Sequence, residues 1–187
     1  MRVALDACVL FPPVMRAMLL GAAAAGGFEP VWSARILEEW ARATRRLPEG
    51  AEAVARGEFA RMRSAWPGAE VAVPEALVDG LSLPDPDDRH VVAAAIAGEA
   101  PVLLTLNRPD FPGRTLARHG IMAREPDGFL VELLDAGLDL AAVAGTVRAG
   151  RAAGPRAMLR RAGLPRLGKA LELRTGPGTG PGSAAQG

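Results

Sequence analysis

The chain has 187 residues and a mass of 19.4 kDa, enough for one domain with a sizeable core and a small appendage. Hydrophobic residues at 49% and charged residues at 23% are the balance of a soluble globular protein, while 4% aromatics with no tyrosine argue against a stacking platform for single-stranded bases. One cysteine, two histidines and a net charge of +1 exclude an internal disulfide, cysteine zinc sites and a multi-histidine centre, and argue at first sight against a simple polyanion binder. Any metal would have to be held by oxygen, which favours Mg²⁺ or Mn²⁺.

In chain order, residues 2–10 read as a short buried strand of Val3, Leu5 and Val9 that carries one acid, Asp6. Pro12 and Pro13 open an Ala/Leu/Met helix that ends at Gly26 and Gly27, with proline inside the start and glycine past the end. Residues 30–32 form a second strand, and Ser33 caps a helix to about Arg46. A weakly patterned helix follows at 52–65, then an extended piece at 70–73. Asp85 to Asp88 open a helix at 89–97, and 102–106 is a continuous apolar run of the kind found in parallel strands covered on both faces. A proline-bounded loop at 108–112 leads to a short helix around Leu116, a last strand at 121–123 and a helix at 126–136.

Strands alternating with helices predict an α/β fold with a mostly parallel sheet over residues 1–135. Residues 136–174 read as a basic helical extension, with breaks at Gly154-Pro155 and Gly163-Leu164-Pro165, and 175–187 as a disordered Gly/Pro/Ser tail. No apolar run reaches the roughly 18 residues of a membrane span. The N-terminus has a superficial likeness to a signal peptide, but Asp6, Pro12, Pro13 and Arg16 interrupt it, so the cytoplasm is the expected compartment.

Reactive groups in such sheets gather beyond the carboxyl ends of the strands. Asp6 is costly to bury unless paired, hydrogen-bonded or bound to a cation, although a strand-end Asp can simply cap the next turn. Of the three acids opening the helix at 89–97, capping and the helix dipole account for Asp85 and Asp87. Asp88 lies on the face that buries Val91 and Val92, aimed at the sheet end where Asp6 lies. On the helix after Ser33, Glu39 falls at the edge of the apolar stripe of Ile36, Leu37, Trp40, Thr44 and Leu47, with an ion pair to Arg35 or Arg42 as the alternative. Glu38 falls nearly opposite, toward water. Thr105, Asn107 and Asp110 follow the apolar strand, and singly the last two are ordinary turn residues. Converging carboxylates repel unless a cation neutralises them or some stay protonated, and an oxygen-bound divalent metal resolves that conflict.

These pieces carry a resemblance. Leu5-Asp6-Ala7-Cys8-Val9-Leu10-Phe11-Pro12, Trp32-Ser33 with Ile36-Leu37-Glu38-Glu39, residues 83–96, and Leu104-Thr105-Leu106-Asn107 with Asp110-Phe111-Pro112 resemble the PIN-domain ribonucleases, in particular the VapC-like toxins of type II toxin–antitoxin systems. The resemblance covers about residues 1–135. It implies an α/β/α sandwich and Mg²⁺- or Mn²⁺-dependent hydrolysis of RNA phosphodiester bonds, with an antitoxin partner and a homodimer. Carried over, Asp6 and Asp88 are metal ligands and Glu39 is the second acid. The fourth acidic position is Asn107, which brings no charge. Either Asp110 takes over or the fourth group only positions water, so one ion is expected rather than two. The resemblance also extends to residues 160–167, without a role.

The mechanism expected from this set has Asp6 and Asp88 holding the metal, with Glu39 and Asp110 orienting the attacking water or holding a second ion. Thr105 and Asn107 support them. Neither histidine is used: His90, two residues past Asp88, points off its face. Cys8 reads as a small core residue, and its presence two positions after Asp6 argues against an aspartate-nucleophile phosphatase. The departure at Asn107 keeps a second reading open, an impaired PIN-like module that binds RNA or a partner. The charge is unevenly spread: residues 136–187 hold eight basic and two acidic groups, leaving 14 and 19 in residues 1–135. The small net charge averages over an acidic body and a basic arm, whose arginines either meet phosphates or form a solvated helix face.

Overall fold

The computed structural model describes residues 1–148 and 153–175, so the tail at 176–187 and the segment 149–152 lie outside the described residues. Four strands form one parallel sheet: β1 (Arg2–Leu5), β2 (Glu29–Val31), β3 (Val102–Leu104) and β4 (Met122–Arg124), in the order β2-β1-β3-β4. Val3, Ala4, Leu5, Leu103 and Leu104 are fully buried, as expected of central strands covered on both faces. The chain leaves β1 toward β2 and later returns to β3 on the other side. Its topological switch point therefore lies at the carboxyl ends of β1 and β3, where ligand sites of such sheets form.

Two strands end earlier than the sequence pattern predicts. Residues 2–10 are not one strand: β1 stops at Leu5, and Ala7–Leu10 (α1) is a single helical turn whose entry is set by the extended backbone of Asp6. Period-two alternation over so few residues does not distinguish a strand from a strand followed by one helical turn. Likewise β3 ends at Leu104, because Thr105 and Leu106 turn away toward the loop that carries Asn107 and Asp110.

Two helical groups flank the sheet. On one side, α3 (Ala34–Thr44) packs on α4 (Ala51–Ala65) and on α6 (Arg89–Ala97), which covers β1 and β3; a short α5 (Glu75–Asp79), absent from the sequence expectation, packs on α6. The Ser33 hydroxyl caps α3 by accepting from Ile36 N at 3.3 Å. The extended piece expected at 70–73 reduces to one bridge, Trp32 to Glu70. Next to α6, Gly98 is a packing requirement: a Cβ there would lie 2.4 Å from Val31 Cγ1.

On the other side, α2 (Pro13–Ala24) packs on α8 (Pro126–Asp135), while α7 (Gly113–Ala117) sits by β4. The extension supplies α9 (Leu140–Arg148), α10 (Pro155–Arg161) and α11 (Pro165–Thr175). These pack on α2 and α8 and bury Leu140, Leu159, Leu164 and Leu167 completely. A buried acid ties them down. Asp127, in the first turn of α8, accepts from Arg166 N and Leu167 N at 2.9 Å each, satisfying two of the orphan donors that open α11. Two arginines of the basic arm are also used in packing: Arg156 pairs with Glu172, and Arg174 with Asp135.

Replacing Asp127 by Ala leaves both amides without their buried acceptor and is expected to cost about 1–3 kcal/mol. Chemical denaturation monitored by circular dichroism measures it. An unchanged midpoint would contradict the docking role.

Candidate active site

The register of β1 and β3 sets the site. Leu5 lies opposite Leu104, and Asp6 N continues the ladder by donating to Leu104 O at 3.1 Å. Asp6 and Thr105 therefore leave the sheet side by side. The Thr105 hydroxyl donates to Asp6 Oδ2 at 2.7 Å, and the Cys8 thiol donates to the same oxygen at 3.0 Å. Asp6 is only 5% exposed, and although it stands where a cap would, its side chain makes no capping bond to α1. The simple capping reading therefore does not account for it.

Around Asp6 the loop after β3 is closed by local bonds. Leu106 N donates to Cys8 Sγ at 3.2 Å, and Asn107 N to Thr105 Oγ1 at 3.0 Å. Burial, with the neighbouring Asp6 charge next, pushes the Cys8 thiol up to about 12, so it stays protonated and serves as a donor. Cys8 is thus a partner of Asp6 as well as a packing residue, which the sequence pattern did not reveal.

Asp88 enters from the start of α6. The preceding turn, Pro86–Asp88, is capped by Asp85, whose carboxylate accepts from Asp87 N at 2.9 Å. That accounts for Asp85 as expected. Asp88 makes no side-chain cap bond, and its Oδ2 is buried without a hydrogen-bond partner among the described residues. Its pKa is raised to about 6, first by burial and then by the charges of Asp6, Asp85, Asp110 and Glu39. The four acids singled out from the sequence thus share one electrostatic neighbourhood.

Glu38 lies on the exposed side, as expected, where Arg56, brought in by α4, grips it through two bonds of 3.0 Å and Arg42 lies 3.9 Å away. Glu39 is paired with neither Arg35 nor Arg42. Its Oε2 lies 3.1 Å from His90 Nε2, and the side chain is 49% exposed. His90 is correspondingly not turned away from the acids; it is 5% exposed and its Nδ1 lies 2.6 Å from Asp87 O. Asp110 sits in the turn Arg108–Asp110 and accepts from Asn107 Nδ2.

This donor set suits a hard cation: every candidate ligand is an oxygen, and one buried carboxylate oxygen has no partner. The acids do not form a ready-made cage, since among the described residues no three His, Cys, Asp or Glu side chains stand together as a metal-holding group.

Because folding raises the Asp88 pKa, the ionised carboxylate costs stability, and that cost grows as pH rises from about 4 through about 6. Without divalent ions, Asp88→Asn is therefore expected to raise the melting temperature at pH 7.5 and leave it nearly unchanged at pH 4. Thermal unfolding in EDTA at both values tests this; a loss of stability at pH 7.5 would contradict it.

Comparison with known proteins identifies the family. A family model described as "PIN domain" matches residues 2–109, a span that holds Asp6, Glu39, Asp88, Thr105 and Asn107 and stops one residue short of Asp110. The Mycobacterium tuberculosis protein named "Putative ribonuclease VapC50" is 32% identical over 90 residues, which cover 43% of this chain and 53% of that protein. The chain thus spans about half the length of the curated relative it matches. No solved structure matches it significantly. With more than half its length under the family model, and the parallel sheet and flanking helices in place, this chain belongs to the PIN-domain family.

Proposed function

We propose that the chain is an endoribonuclease that hydrolyses RNA phosphodiester bonds with a divalent cation, Mg²⁺ or Mn²⁺, and that it is the toxin of a type II toxin–antitoxin pair. The observation that carries this reading is the buried, unpartnered Asp88 Oδ2 in the same electrostatic neighbourhood as buried Asp6 at the switch point of the sheet. Membership of the PIN-domain family and the ribonuclease name of the M. tuberculosis relative support RNA as substrate.

In this reading Asp6 and Asp88 would hold one ion. Such an ion, when bound, neutralises phosphate charge and acidifies water for in-line displacement. Thr105 and Cys8 keep Asp6 in one orientation. Glu39, half exposed, accepts a proton from the attacking water. Asp110, held by the Asn107 amide, orients that water. Among the described residues no helix is long and apolar enough to cross a membrane, which suits a cytoplasmic toxin. An antitoxin partner and a homodimer belong to the same proposal.

The neutral amide of Asn107 where the family resemblance implies an acid favours one second reading, a module that binds RNA or a partner without cutting. Gel assays decide between them. Purified protein is expected to cleave RNA with Mn²⁺ or Mg²⁺ and to stop in EDTA. Asp6→Asn and Asp88→Asn are each expected to lower the rate by more than about 100-fold, beyond the loss typical of an outer-shell partner. Metal-independent RNA retention without cleavage would support the binding module.

A further inference from the structure

We propose that Arg160, Arg161 and Arg166, at the joint between α10 and α11, form a phosphate-binding rim that receives RNA beside the acidic site. The assignment rests on the reading above for its RNA and adds the surface that would hold it. That reading leaves an electrostatic problem. Residues 1–135 carry 14 basic and 19 acidic groups, so the body that bears the acids repels a polyanion. Cations are needed along the same edge of the sheet, and the extension is where the charge balance is positive.

Chain order puts them there. α2 opens at Pro13 just after the single turn of α1, and α8 opens at Pro126 just after β4. In a parallel sheet both helices therefore start at the carboxyl edge, where Asp6 and Thr105 emerge. The extension touches both starts. Arg161 lines a groove with Pro12 and Pro13, and a Cβ on Gly163 would lie 3.2 Å from Met15 Cε. Arg166 N donates to Asp127, and a Cβ on Gly128 would lie 3.1 Å from Arg166 Nη1. Only α1 and Phe11 separate Pro12 from Asp6, which keeps their Cα atoms within about 17 Å.

The arginines of the extension divide by use. Arg156 and Arg174 pair with Glu172 and Asp135, whereas Arg160, Arg161 and Arg166 are exposed and form no ion pair among the described residues. Helix stability accounts for Arg160 and Arg161, which stand in the last turn of α10, where a cation suits the dipole. It does not account for Arg166. That residue follows Pro165 in the first turn of α11, where a cation is unfavourable. An exposed cation held against the helix dipole, with two unpaired arginines one short loop away, has the chemistry of a phosphate site, because planar guanidinium forks match phosphate oxygens. RNA is favoured over an acidic polypeptide because the edge it would follow also carries the site proposed to cut it.

Fluorescence anisotropy in EDTA measures RNA binding without metal-dependent cleavage, over a series of salt concentrations. Four proteins are compared: wild type, Arg160→Gln, Arg161→Gln and Arg166→Gln combined, the same three positions changed to Lys, and Arg2→Gln, whose charge lies at the amino end of β1. Loss of three phosphate contacts is expected to flatten the slope of log affinity against log salt by about 2, and to weaken binding by about tenfold at ~0.1 M salt. The Lys variant is expected to keep the slope, and Arg2→Gln to match wild type. With Mn²⁺ present, the Gln variant is expected to raise KM by about tenfold, with kcat and calorimetric Mn²⁺ affinity within about twofold of wild type.

A wild-type slope and KM in the Gln variant would overturn the assignment. Equal losses in the Gln and Lys variants would also overturn it, since they mark a packing role, as would a wild-type protein that binds no RNA. Retained RNA binding with lost polyglutamate binding would assign the rim to an acidic protein instead. A wild-type protein that binds RNA through these arginines but does not cleave it would overturn the nuclease reading and uphold the rim.

Discussion

The pairing of β1 with β3 is the constraint on which the rest depends. Because Leu5 and Leu104 are opposite each other, the next residues emerge together at the sheet's carboxyl edge, and Asp6 meets Thr105 across 99 positions of sequence. A one-residue slip in this register would turn Asp6 toward the opposite face and break the Thr105 bond. The strands can hold register because their central residues are fully buried on both sides. Packing that excludes water from Leu5 and Leu104 thus also fixes where a carboxylate stands.

Burial then divides the acids. Asp6 is deeply buried yet supplied with two donors on Oδ2, so its charge is compensated within the protein. Asp88 is less buried but has an oxygen with no partner among the described residues, and nearby acids raise its pKa further. Two carboxylates in one neighbourhood thus have unlike support. The fold tolerates this because α6 is anchored by its apolar face: Val91, Val92, Ala93, Ala94 and Ala95 are all fully buried. A helix packed that firmly can carry an unsatisfied group in its first turn.

Most of this was legible where a residue violates its local pattern. An acid closing an apolar strand and an acid at the buried edge of a helix both stand out against apolar neighbours, and both are placed as the α/β pattern predicts. What the pattern could not carry was the partner of each group. Glu38 and Glu39 are separable by helical angle, and the arrival of Arg56 from α4 adds a surface partner for Glu38 that the pattern does not reveal. The approach of His90 to Glu39 across α6 and α3 is likewise a product of packing, with no trace in composition. Asp127 was missed altogether: nothing in Pro126-Asp127-Gly128 signals that a helix start about forty residues later needs an acceptor there.

The four acids are consequently not interchangeable. Asp6 is held by a hydroxyl and a thiol, Glu39 lies against an imidazole, Asp110 is bonded to an amide, and Asp88 Oδ2 has no partner among the described residues. Removing one acid from such a set changes the charge felt by the others, but each loss releases a different neighbour. Loss of Asp6 strands two donors, whereas loss of Asp88 strands none and relieves repulsion. In the proposed metal nuclease the same asymmetry favours a single cation. A second ion would need further free carboxylates, yet Asp110 already has one oxygen engaged by the Asn107 amide, and Asn107 adds no charge. In that reading one ion would sit between the most buried acid and the least satisfied one, where its charge offsets the repulsion among the carboxylates.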